Sequence, residues 1–492
     1  MHDEVKRGTQ VAHQVTPSYA SPFSWRYGSQ PMRDLWSEET KRRMWRRLWL
    51  SLARAQSEAG LISEVELADL QTHVDAVDLS AAHKIEEEIG HDLMAELRVY
   101  ASQATRGGGK LHLGATSMDV EDNVDTARIR AALSMLACAI FELLDALADK
   151  IEQYADEPCI GYTHLQAAEP TTLGYRMSLW AQDIAFDYQA LTCLAAWLPA
   201  KGMRGAVGTS ASYAALLEGS DRSPDDVEAQ VLRDFGLRAV PVSGQTYPRR
   251  LDYIVIAALA AFAASSAKCA LDVRLLASSP FGELGEPFGK KQVGSSAMPF
   301  KRNPVLCERV CSLARMIAAD AQVAWQNAAE NALERTLDDS ANRRCILPES
   351  FLAADEIAAL LRRIVTGLRV DQRRMAHNLN KFGPFAGSEA VLMHAVKAGG
   401  DRQQIHEVLR EASMRAWDAV ARGEPNPLPE ILAADPGIGR YIHKEKVAAL
   451  LDPKRHIGMA AQRARGFANG LRGLRPAEAH ASDPVMDLGI GT

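Results

Sequence analysis

Tyr253-Ile-Val-Ile-Ala-Ala-Leu-Ala-Ala-Phe-Ala-Ala-Ser-Ser-Ala267 carries no charge along its length and is bounded by Asp252 and Lys268. The run is shorter than the ~20 residues a membrane span needs, and Asp272 and Arg274 follow within two turns. Its alanines let neighbouring helices approach closely, so a helix buried among helices is expected. A helix apolar nearly all round needs a larger core than one ordinary monomer supplies. The expectation is a bundle shared between subunits.

Helical patterning extends outward from this stretch in both directions. Residues 37–59 start at a Ser37 cap, carry acids in the first turn and stop at Gly60. Ser63 and Glu66 have capping-box spacing. A further helix is expected from about Ser80 to Ala104, ending in Gly107-Gly108-Gly109, a hinge that lacks phosphate-loop spacing. Long helices are expected over 118–155, 170–200 and 247–279, from Pro304 onward, and over 340–367. Strand-like alternation is nearly absent, with Leu237 to Val242 the best case. Beyond residue 371 the helices shorten, with breaks at Gly399-Gly400 and at Pro425, Pro427 and Pro429, and the tail after Pro476 reads as loose. The fold class is all-α, in three helical domains. An N-terminal domain covers 1–116, a central long-helix bundle 117–370 carries a loop at 282–304, and a C-terminal domain covers 371–492.

Composition narrows the function. The 492 residues are 47% hydrophobic with a formal net charge of −6, and no basic stripe interleaves with aromatics, so neither nucleic acid nor membrane is an expected partner. The seven cysteines form no C-x-x-C pair, and Met1 to Arg7 has no apolar core of a signal peptide. A reducing cytoplasm fits this best. Cys307 and Cys311 lie four residues apart without a histidine at zinc-site spacing, so packing is expected and no metal.

Four polar clusters carry the chemistry. The first is Gly294-Ser295-Ser296-Ala297-Met298-Pro299-Phe300-Lys301-Arg302-Asn303-Pro304, with Asn303 suited to a helix N-cap and Pro304 to the first helical position. Glycines upstream suggest a mobile flap, and a helix start beside Lys301 suits carboxylates or phosphate. The others are His112 to Asp119, the turn Gly161 to Gln166 before a helix near Pro170, and Glu334 to Arg344. Histidine moves protons near neutral pH, hydroxyls donate hydrogen bonds and arginines clamp anions. A substrate with several carboxylate or phosphate groups is the natural partner.

Gly294 to Pro304 closely resembles the signature of the fumarase/aspartase superfamily. Within it, His112 to Asp119, Gly244-Gln245-Thr246-Tyr247, Lys397 to Gln403 and above all Glu334 to Arg344 resemble the adenylosuccinate lyase family. The resemblance implies an all-helical homotetramer, with each active site built from three subunits. It implies β-elimination from adenylosuccinate and from SAICAR (succinyl-carboxamide imidazole ribotide), with no cofactor. Ser295 would be the base and His164 the acid, with Lys301 and Asn303 holding the succinyl carboxylates. Serine is a poor base, so cations and amides must stabilise its alkoxide.

The same resemblance makes Glu308 the residue that orients the catalytic histidine and His91 a second substrate-contacting histidine. His91 and His164 could exchange roles. Thr116 and Ser117 match substrate-binding hydroxyls, while Arg26, Tyr27, Arg335, Ser340 and Arg344 match the grip on AMP and its phosphate. Gln245 and Arg309 match further binding positions, and Asp92 is either a substrate contact or a structural partner of His91. Gly90 departs from relatives that carry arginine there. A carboxymuconate-type cycloisomerase shares a similar loop but has no use for the clamp at Arg335 to Arg344. Argininosuccinate lyase is disfavoured because Thr116-Ser117-Met118-Asp119 lacks that branch's basic pattern, and an inactive helical scaffold is disfavoured by the intact His164, Ser295, Lys301 and Glu308.

Overall fold

The computed structural model describes residues 19–289, 294, 297–298 and 300–474. Ser37 caps α1 (Glu38–Glu58), its hydroxyl accepting from Thr40 N at 3.2 Å. Ser63 accepts from Glu66 N at 3.4 Å while the Glu66 carboxylate accepts from Ser63 N at 2.8 Å, the reciprocal cap its spacing foretold. The pattern expected to run from Ser80 to Ala104 is two helices, Leu79–Ile89 and α2 (Asp92–Gln103). Gly90 breaks them with φ +66, a left-handed conformation that ends a helix. That break puts His91 at the N-cap of α2. Gly107 and Gly108 allow close packing, while Gly109 has open space around it. A Cβ on Gly107 would lie 2.4 Å from Glu66 O, and one on Gly108 2.5 Å from Ala101 O.

Five long helices form the centre: α3 (Ser117–Gln153), α4 (Leu173–Trp197), α5 (Arg250–Ala277), α6 (Val305–Glu330) and α7 (Ser340–Thr366). At 1.5 Å per residue, the 37 residues of α3 extend ~55 Å. α5 packs along α6, α3 pairs with α4 and α7, and α7 also lies against α5 and α6. α5 is longer than its uncharged run, and both α3 and α5 reach the length and apolarity of a span, with a mean hydropathy of 1.9 over their most apolar windows. Length therefore does not separate them from membrane helices. Ion pairs do tie them into the bundle: Arg343 of α7 meets Asp252 of α5 at 2.8 Å and Asp125 of α3 at 2.5 Å. Within one chain α4 leaves Phe186 62% exposed and α6 leaves Trp325 53% exposed.

The turn expected before a helix at Pro170 is the tip of a β-hairpin, β1 (Pro158–Thr163) and β2 (Gln166–Thr172). Pro170 sits in β2 opposite Ile160, and α4 starts only after the Thr172 cap. The better-looking strand near Leu237 contributes a single bridge, between Ala239 and Ala200. Alternation misled here because both hairpin strands are too polar and too short to show it.

After α7 the helices shorten as expected, with Gly399-Gly400 separating Ser388–Lys397 from Arg402–Ala421. Val391, Leu409, Leu432 and Val447 belong to a second, smaller core. The helix Ala460–Arg472 returns to α3 and α4, and its Ala464, Ala468 and Leu471 join the main core.

Candidate active site

One polar pocket opens where α2, α3 and α7 begin. As N-cap of α2, the His91 side chain accepts from Met94 N through Nδ1 at 3.5 Å, so in the neutral ring the proton sits on Nε2. That Nε2 donates to Ser117 Oγ, 3.3 Å away in the first turn of α3. Thr116 caps α3, its backbone N–H donating to Asp119 at 3.0 Å. Arg344 pairs with Asp92 at 2.8 Å and shares the pocket with Arg335 and Ser340. Burial works against charge on Asp92, but Arg344 outweighs it and holds the carboxyl below the usual range. Gln245 joins through its backbone N–H, which donates to Glu334 O at 3.1 Å beside Arg335.

A buried charge network braces this pocket. Arg249 bridges Asp339 at 2.6 Å and Asp122 at 3.0 Å, and Asp339 in turn accepts from Arg335 at 2.6 Å. Arg343 binds Asp125, Asp252 and the Tyr247 hydroxyl. Burial drives the Tyr247 hydroxyl far above its ordinary pKa, so it stays neutral as acceptor and donor. Of these groups, Arg249, Asp122 and Asp125 were missed in the sequence. Their signal was Asp119, Asp122 and Asp125, acids every third residue on one face of a largely apolar helix.

A second group lies at the start of α6. Arg309 stands over the Tyr27 ring with its guanidinium carbon 5.9 Å from the centroid, and Arg26 stacks beside Tyr27 at 5.8 Å. Glu308 is half exposed with Arg274 4.0 Å away, and Lys301 is exposed. Asn303 is not the cap: its amide donates to Gly294 O at 3.1 Å, and α6 starts at Val305 behind Pro304. The helix mouth is also not an open anion seat. The buried Glu286 carboxylate accepts from Leu306 N at 3.0 Å and from Cys307 N at 3.1 Å, so the chain caps this helix with its own acid. Ser295 lies outside the described residues. Cys307 and Cys311 are buried, and among the described residues no cluster of His, Cys, Asp or Glu is arranged to hold a metal ion.

His164 forms a third group. It and Leu165 make the two-residue tip between Thr163 and Gln166, with φ of +53 and +59. Such a turn ordinarily takes Asn-Gly, and a leucine there is strained. Both residues are exposed. Two residues back, the Tyr162 hydroxyl donates to Glu283 at 3.3 Å, and Glu283 also receives Arg176 at 3.3 Å and Asn378 at 2.9 Å. The hairpin is thus pinned to the segment that leads into Glu286.

Within one chain these three groups do not converge. Asn327 and Asn342 hold the far end of α6 beside the start of α7 through two amide hydrogen bonds of 2.7 and 3.0 Å. Arg309 is eighteen residues before Asn327, or ~27 Å along the helix. Arg26 and Tyr27 therefore stand far from Arg335, Ser340 and Arg344, and among the described residues no hydrogen bond or ion pair joins His164 to Glu308.

Residues 27–319 match the family model described as Lyase, and residues 384–467 match that of the adenylosuccinate lyase C-terminus. Among solved structures the chain superposes on a fumarate lyase from Mesorhizobium sp. BNC1 with a TM-score of 0.78 at 25% identity, covering 93% of this chain and 100% of that one. A 3-carboxy-cis,cis-muconate lactonizing enzyme from Pseudomonas putida shares the fold with the same TM-score at 24% identity, over 92% of this chain and 99% of that one. Fold and site define a lyase of the fumarase/aspartase type. Adenylosuccinate lyase of Schizosaccharomyces pombe is 35% identical over 481 residues, covering 96% of this chain and 99% of the relative. That of Archaeoglobus fulgidus is 36% identical over 442 residues, covering 90% and 96%. The chain belongs to the adenylosuccinate lyase family.

Proposed function

We propose that the chain eliminates fumarate from adenylosuccinate to give AMP, and from SAICAR to give AICAR. The observation that carries this reading is the pocket in which Arg335, Ser340 and Arg344 stand with Asp92, beside the His91–Ser117 pair, in a member of this family. Two guanidinium groups and a hydroxyl suit a phosphomonoester.

In this mechanism Ser295 takes a proton from the succinyl carbon. The electron pair left behind spreads into the adjacent carboxylate, where Lys301 stabilises the extra charge. The pair then forms the carbon–carbon double bond of fumarate as the carbon–nitrogen bond breaks. His164 gives its proton to the departing nitrogen, and Glu308 orients that histidine. No step calls for a cofactor.

Such a site needs all three groups at once, and they are spread over one protomer. A homotetramer in which the bundle helices of several chains pack together would unite the pocket of one subunit, the α6 start of a second and the His164 hairpin of a third. Phe186 and Trp325, exposed on α4 and α6, and the small uncharged face of α5 at Ala257, Ala261 and Ala264 suit that burial. The test is to add adenylosuccinate or SAICAR to assembled enzyme, follow the ultraviolet change and detect fumarate. No turnover of either ribotide by a well-folded assembly refutes the reading.

A further inference from the structure

Glu121 has no role in the elimination above, yet it lines the same pocket as Arg335, Ser340 and Arg344. It stands four residues past Ser117 on α3. Its carboxyl makes no hydrogen bond or ion pair among the described residues. The surrounding cations are all committed elsewhere. Arg344 of α7 is held by Asp92 of α2, Arg343 of α7 by Asp125 and Asp252, and Arg249 by Asp122 and Asp339. Arg335 is held by Asp339, and Lys41 of α1 by Glu38. Glu121 is therefore a pocket-lining carboxyl that no cation holds.

Burial, reinforced by Asp92, Asp125 and Asp122, pushes this carboxyl up to about 8, with Arg344 pulling weakly the other way. A second group on the same wall also lacks a partner: the buried indole N–H of Trp45. A neutral acid and an indole are both donors, and both residues line a pocket that Arg335, Arg343 and Arg344 line as well. That arrangement suits a ligand rich in acceptor oxygens.

We propose that Glu121 binds the phosphate-bearing end of the nucleotide as a neutral acid, donating its proton in a hydrogen bond to a ligand oxygen. The proposal rests on the nucleotide reading of this pocket. Ionised Glu121 would repel the phosphate, so binding at alkaline pH takes up a proton. At pH 8 about half of the free carboxyl is ionised, and filling the site takes up about half a proton per site. The phosphate itself has its second pKa near 6 and is fully ionised there.

Titration calorimetry of the assembled enzyme with AMP at pH 8, in two buffers of different ionisation enthalpy, reads this uptake directly. Wild type is expected to take up about half a proton with AMP and none with adenosine, which lacks the phosphate. Wild-type kcat/KM is expected to fall above pH 8, and Glu121→Gln, a neutral donor at every pH, is expected to take up no proton and to show a smaller fall. AMP binding without uptake by wild type overturns the proposal, as does equal uptake with adenosine or uptake that survives in Glu121→Gln. The wild-type comparison of AMP with adenosine decides even if the variant does not fold. Failure of wild type to bind AMP or to cleave adenylosuccinate or SAICAR at all sinks the functional reading instead.

Discussion

Replacing Glu286 with alanine should loosen the start of α6 and, with it, catalysis. The buried Glu286 carboxylate is the cap of this helix, receiving the N–H groups of Leu306 and Cys307 at 3.0–3.1 Å. Alanine leaves both donors without a protein partner and removes a negative charge from the positive end of the helix dipole. An orphaned buried donor costs about 1–3 kcal/mol, and the dipole contact about 0.3–1 kcal/mol. Water entering the space left by the side chain restores part of this, so a net local cost of about 2–3 kcal/mol is expected. That corresponds to a roughly 30- to 150-fold loss of amide protection. Hydrogen exchange with mass spectrometry reads it on a peptide spanning Val305 to Val310, with Ile346 to Phe351 in α7 as an internal reference. Because Glu308 and Arg309 ride on the same turn, kcat should fall alongside, with Glu286→Gln between alanine and wild type in both measurements. Unchanged exchange over Val305 to Val310 in Glu286→Ala refutes the capping argument, whatever happens to the rate.

Three further outcomes follow from the geometry. His164→Ala should lower turnover by roughly 10²–10⁴, the usual worth of a positioned acid, and mixing it with Ser295→Ala should recover part of the activity if the two residues meet across subunits; no recovery from a re-formed mixed assembly argues against a shared site. Arg249→Met strips a buried cation from two buried carboxylates and should cost about 3–5 kcal/mol, read as a lower thermal midpoint; an unchanged midpoint contradicts the network. The folded pKa of Asp92 lies below its ordinary value, so its pairing with Arg344 contributes stability above about pH 4 and loses it as pH falls through that lowered value. Arg344→Ala removes the cause, leaves burial to raise Asp92, and should move the acid limb of the stability profile upward in pH.

Helix identity was legible in the sequence wherever caps and periodicity agreed. Ser37 and Ser63 cap as expected, and the long helices begin and end within a few residues of their patterned stretches. The hairpin at 158–172 was hidden, because its strands are short, carry Pro158 and Pro170, and mix polar with apolar residues on both faces. The Gly90 break was also misjudged: helical spacing continues across it, and only its positive φ ends the helix. The family motifs named the site residues, but the grouping of those residues was not visible. Asp92, Arg335, Ser340 and Arg344 share a pocket across some 250 residues of chain, while Arg26 and Tyr27 lie with Arg309 instead.

What the sequence determined by itself was the all-helical architecture and the family, since both rest on local spacing and short motifs within single segments. Tertiary structure alone decided which charges meet and which are left over. Asp122, Asp125, Asp252 and Asp339 look like ordinary acids until folding surrounds them with Arg249 and Arg343. Glu121 looks no different from them, yet it is left unmatched in the pocket. The mouth of α6 makes the same point: it reads as an anion site, and an acid twenty residues away already fills it. Electrostatic pairing depends on distances of a few ångströms between segments remote in sequence, and no local pattern records those distances.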